Sequence, residues 1–197
     1  MDRDDVLIVC ALKQETQGQL TEGFINDWKV LYTGVGKVNA TYELTRYLSE
    51  NKLPKLVINY GTAGSKDLPI GELVDCTKFV QRDMSIKQLG FMDLQTPFES
   101  PNSMVVESTS EFNPIEKRQV CGTGDTFVES VKNQNSYIKV FDMEAYALGK
   151  VCRHYDVPFI SFKYITDNAD KKAHKDWTEN CSDGIHLFKS RILSKIT

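Results

Sequence analysis

Pro158-Phe159-Ile160-Ser161-Phe162-Lys163-Tyr164-Ile165-Thr166-Asp167-Asn168-Ala169-Asp170 is the stretch on which the reading of this chain turns. Phe159 to Ile165 is an apolar run of strand length, rich in aromatic and β-branched residues, and it stops at Thr166-Asp167-Asn168. A buried strand of this kind delivers a carboxylate to its own C-terminal end. In open α/β sheets, ligands bind in the crevice outside the carboxyl ends of the strands, so Asp167 has the position of a catalytic or ligand-holding acid. The residues alone leave a plainer reading open. Asp and Asn after a strand more often cap a helix or open a turn.

Working outward, the 197 residues suit a single domain spanning 1–197, able to bury about 70% of the surface of its unfolded chain. The 24 basic and 27 acidic residues give a net charge of −3 without a basic run, so the electrostatic footprint of a nucleic-acid binder is missing. A small neutral or cationic ligand suits this balance better. Cys10, Cys76, Cys121, Cys152 and Cys181 are odd in number, lack Cys-x-x-Cys spacing and mostly lie in apolar segments, which reads as reduced core thiols. No apolar stretch approaches the ~18 residues of a membrane span, and Met1-Asp2-Arg3-Asp4-Asp5 is acidic where a secretory signal is basic. A cytoplasmic protein without membrane or nucleic-acid partners is expected. His154, His174 and His186 lack metal-ligand spacing, so neither a metal nor another cofactor is expected.

Val6 to Ala11 is a short continuous apolar run, the pattern of a central strand covered on both faces. A polar helix follows, with Glu15 in its first turn, where a solvated Glu favoured by the helix dipole is the plainer alternative. Trp28 to Val35 predicts a strand closed by Gly34-Val35-Gly36, and Lys37 to Glu50 a helix with Val38, Thr41, Leu44 or Thr45, and Leu48 inward. Asn39 breaks the dinucleotide fingerprint, and Val38 with a missing upstream Gly breaks the phosphate-loop pattern. Lys55 to Tyr60 predicts a strand running into a Gly61-Thr62-Ala63-Gly64 loop, whose glycines would either aim backbone N–H groups at a ligand or form an ordinary turn.

Leu73 to Val80 is a further strand, and the long polar excursion from Gln81 to Asn102 reads as a functional flap. Met104 to Ser108, Gln119 to Cys121 and Ile138 to Phe141 are strand candidates. Phe127 to Lys132 is expected as a helix after a glycine-rich elbow, and a second helix runs from Asp142-Met143-Glu144 to Tyr155 with Met143, Ala147, Val151 and Tyr155 inward. Asp170 to Asp176 reads as a charged loop carrying Trp177, before a last helix with Ile185, Phe188, Ile192 and Ile196 on one face. The alternation argues an α/β fold: one three-layer domain with a mostly parallel, mixed central sheet flanked by helices.

Several segments match one family together, in order and spacing: Cys10-Ala11-Leu12-Lys13-Gln14-Glu15, Thr33-Gly34-Val35-Gly36-Lys37-Val38-Asn39-Ala40 and Ile58-Asn59-Tyr60-Gly61-Thr62-Ala63-Gly64. Gly124-Asp125-Thr126-Phe127, Asp142-Met143-Glu144-Ala145 and Ile165-Thr166-Asp167-Asn168-Ala169-Asp170 continue the match. The chain resembles the nucleoside phosphorylase superfamily, most closely its hydrolytic branch, the 5'-methylthioadenosine/S-adenosylhomocysteine nucleosidases. The resemblance spans about residues 6 to 190 and is weakest over Gln81 to Pro114.

What the resemblance implies is hydrolysis of a purine nucleoside by two carboxylates. Asp167 would protonate or hydrogen-bond N7 of the departing purine, a job for an acid whose pKa is raised. Glu15 would take the proton of the water that attacks C1'. Glu144 would accept from the ribose 2'- and 3'-hydroxyls, with Met143 on the ribose face, although a helix-start Glu is the plainer reading of the residue itself. Phe127 would stack on the purine, where otherwise it is an ordinary core Phe, and the Val128 backbone would meet the adenine edge. Trp177 would wall the 5'-substituent. Thr62, Ala63, Gly64, Asp142 and Thr166 complete the implied substrate-binding set. The bacterial phosphorylases of the superfamily hold phosphate with arginines at positions that here read Ala11 to Glu15 and Asn59-Tyr60, so water is the expected nucleophile. Lys163 stands where an arginine is common, and Asp142 and Tyr146 are less usual choices. The family also implies a homodimer or higher homo-oligomer.

Overall fold

Strand β1 (Val6–Cys10) is apolar at every position because both of its faces are covered. Val6, Ile8 and Cys10 enter one core and Leu7 and Val9 another, as the period of two requires. The same division runs through β3 (Leu56–Gly64) and β8 (Phe159–Asp167). Leu56, Ile58, Tyr60, Ile160, Phe162 and Tyr164 face the first core, and Val57, Ala63, Phe159 and Ile165 face the second. These assignments come from a computed structural model, which describes residues 1–20, 28–99, 105–132 and 134–196.

The other strands are β2 (Lys29–Tyr32), β4 (Leu73–Gln81), β5 (Val106–Glu107), β6 (Gln119–Thr123) and β7 (Val140–Asp142). They pair in the order β2-β1-β3-β7-β6-β4-β5, and β8 pairs with both β3 and β4. The β3-β7-β6-β4-β8 segment is therefore closed into a ring, which the expectation of a simple layered sheet did not include. Parallel pairs β1–β2, β1–β3, β3–β8, β4–β6 and β6–β7 outnumber the antiparallel β3–β7, β4–β5 and β4–β8. The mostly parallel, mixed sheet is thus as expected.

Helices α2 (Lys37–Glu50) and α3 (Ala145–His154) cover the second core, and α5 (Ile185–Arg191) covers the first. Phe188 of α5 stacks on Tyr60, with ring centroids 4.3 Å apart. Ile192 and Ile196 continue its buried face, as their spacing predicts. Two shorter helices, α1 (Lys13–Thr16) and α4 (Ala173–Asn180), lie beside the strand ends.

Five local expectations need correction. The inward residues of α2 are Ala40, Leu44 and Leu48, while Val38 is 78% exposed. Gly61 to Gly64 is not a loop, since β3 runs through it. Phe127 to Lys132 forms bends and turns with no helix, because Phe127 has no core to face. The charged stretch before Trp177 is largely helical, as α4. On α3 the buried face is Ala145, Ala147, Leu148, Val151 and Cys152, and Met143 and Tyr155 are only half-buried. The predicted strand start at Met104 and the flap end at Asn102 lie outside the described residues. The five cysteines are free and buried, and no helix among the described residues is long and apolar enough to cross a membrane.

Candidate active site

Glu15 follows β1 by one turn of α1, and it does act as a local cap: the Leu12 N–H donates to Glu15 Oε2 at 3.0 Å. Its other oxygen is turned toward β3. Glu15 Oε1 accepts from the Thr62 N–H at 2.9 Å and from Thr62 Oγ1 at 2.8 Å. The glycine at 61 makes this approach possible, since a Cβ there would sit 3.3 Å from Glu15 Oε1 and 3.4 Å from Lys163 Nζ. The N–H at Thr62 therefore serves the protein's own carboxylate and is not aimed at a ligand. A carboxylate offers about four lone-pair sites. Oε1 has both of its own occupied, so Oε2 is the oxygen with a site left for an incoming proton.

Asp167 ends β8, and a bulge sets its direction. Ala63 pairs with Ile165 but Gly64 pairs with Asp167, leaving Thr166 unmatched. Asp167 Oδ1 accepts from the Ala169 N–H at 3.0 Å, the turn-opening bond of the plainer reading. Thr166 Oγ1 lies 3.0 Å from Asp167 Oδ2 and 3.3 Å from the Ala63 carbonyl, two acceptors for its one proton. Gly64 is required beneath the carboxyl: a Cβ there would lie 3.1 Å from Asp167 Cγ and closer still to Oδ1. Burial pushes the Asp167 carboxyl above its ordinary range, opposed by the Ala169 and Thr166 hydrogen bonds and assisted by Asp176 and Asp170.

Glu144 is the N-cap of α3, and its side chain points away from that helix. Its Oε1 accepts from the Gly36 N–H at 2.8 Å, in a turn where Gly36 holds φ at +93°, a backbone region that favours glycine. Burial, then the neighbouring Asp142 charge, pushes Glu144 up to about 8, although Lys163 and the Gly36 N–H work against the rise. Asp142 has its oxygens engaged by protein donors. Lys163 Nζ lies 2.8 Å from Oδ2, the Ala145 N–H also donates to Oδ2 at 2.8 Å, and Thr123 Oγ1 donates to Oδ1 at 2.5 Å. Burial alone would raise the Asp142 carboxyl, but these donors together hold it below the usual range. The less usual Asp142 and Lys163 thus form one buried pair, each side chain 1% exposed.

One cleft is lined by Glu15, Thr62, Ala63, Gly64, Phe127, Val128, Asp142, Met143, Glu144, Asp167 and Trp177. Thr166 is fully buried behind it. Phe127 is 44% exposed within the cleft, which removes the ordinary-core reading, and it makes edge contacts with His174 and Trp177 at 6.0 and 6.2 Å. Strand ends from both halves of the ring converge here because the antiparallel contact of β3 with β7, Gly64 against Phe141, joins them near their C-termini.

The sequence reading missed His174, Arg82 and Val35, which also line the cleft. Arg82 is the first residue past β4, a strand-end position like that of Asp167. His174 stands three residues before Trp177, so recognising α4 would have put both on one face. Arg82 donates through Nη2 to the Gly124 carbonyl at 3.1 Å and to the Thr126 carbonyl.

A family model described as the phosphorylase superfamily matches residues 13–192. The 5'-methylthioadenosine/S-adenosylhomocysteine nucleosidase of Haemophilus ducreyi is 32% identical over 179 residues, covering 82% of this chain and 77% of that protein. A solved structure of the Helicobacter pylori 5'-methylthioadenosine/S-adenosylhomocysteine nucleosidase with butyl-thio-DADMe-Immucillin-A superposes with a TM-score of 0.82 at 24% identity, covering 96% of each chain. The futalosine hydrolase of Helicobacter pylori superposes with a TM-score of 0.80 at 22% identity, over 96% of this chain and 97% of that one, which extends the likeness of fold to a second hydrolase. With the match running through both carboxylate corners of the cleft, the chain belongs to the phosphorylase superfamily, as a relative of its nucleosidases.

Proposed function

We propose that this protein is a purine nucleoside N-ribosyl hydrolase, cleaving 5'-methylthioadenosine, S-adenosylhomocysteine or both to adenine and a 5-thioribose derivative. The observation that carries the reading is that Glu15 and Asp167 line one cleft together with Glu144 and Phe127. Two carboxyl groups flanking one sugar, one as acid and one as base to a water, are the arrangement of an inverting glycoside hydrolase.

Asp167, whose carboxyl burial pushes above its ordinary range, donates toward N7 and neutralises the charge that develops on the leaving purine. Glu15 takes the proton of the attacking water through Oε2, its oxygen with room to accept. Glu144 receives the ribose hydroxyls, and Phe127 stacks on the base. Trp177 offers an aromatic wall to the 5'-group, which suits a thioether better than a phosphate.

Water is favoured over phosphate because Glu15 repels an anion. Arg82, the cleft's arginine, is already held by the Gly124 and Thr126 carbonyls. The buried free thiols are compatible with a cytoplasmic setting. Self-association into a homodimer or higher homo-oligomer belongs to the same proposal. It is supported by Val38 and Tyr42, exposed at 78% and 63% one turn apart on α2, near the cleft residue Val35.

The test is a phosphate-free assay with 5'-methylthioadenosine, S-adenosylhomocysteine, futalosine, adenosine and inosine, measuring released base and free reducing sugar. Adenine release from the thio-nucleosides without phosphate is the expected result. Release that strictly requires phosphate, with a sugar phosphate as product, would replace hydrolysis by phosphorolysis. Light scattering on the same preparation reads the assembly, and a monomer at micromolar concentration would remove that part of the proposal.

A further inference from the structure

We infer that Trp177 is a positioning residue for Glu15, acting through the hydroxyl of Thr62. The inference rests on the hydrolytic reading above and assigns Trp177 a role beyond that of a wall for the 5'-group. The Trp177 indole Nε1–H donates to Thr62 Oγ1 at 2.9 Å, and Thr62 Oγ1 donates onward to Glu15 Oε1 at 2.8 Å. An indole N–H can only donate, whereas a hydroxyl has one proton and two lone pairs. With the indole occupying its acceptor side, the single Thr62 proton is directed at Glu15. Oε1 is then held by two donors, the Thr62 N–H and its hydroxyl, and the carboxylate presents Oε2 to the water. Losing the indole N–H frees the hydroxyl to rotate away, which leaves Glu15 Oε1 on the Thr62 N–H alone.

The indole is fixed because α4 is tied down on two sides. Asn180, three residues beyond Trp177, donates through Nδ2 to the Thr166 carbonyl at 3.0 Å, next to Asp167. Gln14, next to Glu15, donates through Nε2 to Cys181 Sγ at 3.5 Å, and Gln17 Nε2 donates to the Ser182 carbonyl at 3.2 Å. One short helix is thereby attached to the segments that carry both carboxylates. Trp177 also meets the edge of Phe127. Filling the base pocket and aligning the nucleophile-activating carboxylate are thus linked through one side chain.

Trp177→Phe tests this, because it keeps an aromatic wall and removes only the indole and its N–H. In phosphate-free adenine release, Trp177→Phe lowers kcat about three- to ten-fold, the size of one lost hydrogen bond, with KM within about twofold of the parent. Thr62→Val lowers kcat as well. Adding Trp177→Phe to Thr62→Val costs nothing further, because no hydroxyl proton is left to direct.

A second readout does not depend on turnover. The chain has two tryptophans, so two indole N–H signals appear in a proton–nitrogen correlation spectrum. The one lost in Trp177→Phe moves in Thr62→Val and stays in Thr62→Ser. An unchanged kcat in Trp177→Phe, independent multiplicative losses in the double variant, or an indole signal indifferent to Thr62→Val each overturn the inference. If the parent releases no adenine, the hydrolytic reading fails instead. The indole signal then decides by itself whether the hydrogen bond exists.

Discussion

Gly64 shows how much of this site is decided by what a residue lacks. Its missing Cβ is the space into which the Asp167 carboxyl is folded, and any side chain there collides with Oδ1 and crowds Cγ and Oδ2. Gly64→Ala has no need of a strained backbone, because β3 is extended at this point. Its damage should fall on the direction of Asp167. The expected outcome is a folded protein with an unchanged far-ultraviolet spectrum and kcat reduced about a hundredfold, within the ~10² to 10⁴ range for Asp167→Asn itself. A Gly64→Ala enzyme of near-parental rate would mean that the bulged position of Asp167 is not the working one. Parental turnover in Asp167→Asn would remove that carboxyl from the mechanism altogether.

At the level of elements, legibility in the sequence followed where the apolar side chains go. The bounds of α2 were readable to the residue, and β1, β4 and β8 nearly so, because their apolar positions face a core. Helix α4 was not. Only Ala173 of its eight residues is buried, and its aromatic face, His174 and Trp177, lines the cleft, so the pattern reads as a charged loop. Phe127 and Val128 failed in the opposite sense, suggesting a helix where both residues line the cleft. The two candidate carboxylates were singled out by their strand-end and first-turn positions together with the family resemblance, since locally each also satisfies the capping or turn role that made the plainer reading attractive.

The ring closure was unreadable, because it depends on β8 pairing twice. It carries its own prediction. Lys163 on β8 meets Asp142 on β7 inside the ring, so Lys163→Met strands a buried carboxylate and should cost about 3–5 kcal/mol. That is a fall in Tm on the order of 10 °C for a chain of this size. Adding Asp142→Asn should restore most of it, and a double variant no more stable than the single one would contradict the pairing.

For the molecule as a whole, the same crowding of acids makes stability depend on pH. Glu144 is held at about 8 in the folded protein, against the ordinary glutamate value of 4.5 that the unfolded chain approaches. Between those values the folded state carries a proton that the unfolded state has given up, so folding stability is fully present below about pH 4.5 and falls as pH rises toward 8. Asp167, shifted in the same direction, adds to the fall from the acid end. The groups facing Glu144 do not cancel it. The stabilising contribution of Asp142 is lost only as pH drops below the ordinary aspartate value of 3.8, and Lys163, whose pKa is raised by its acidic neighbours against the effect of burial, remains charged throughout the window. Glu144→Gln keeps an acceptor for the Gly36 N–H and removes the ionisation. In the ligand-free protein, parent and variant should therefore melt close together near pH 5, and by pH 8 the variant should be the more stable by on the order of 10 °C. Parallel melting curves across that range would show that Glu144 ionises freely in the empty cleft. The acceptance of ribose hydroxyls proposed for it would then involve no uptake or release of protons on binding.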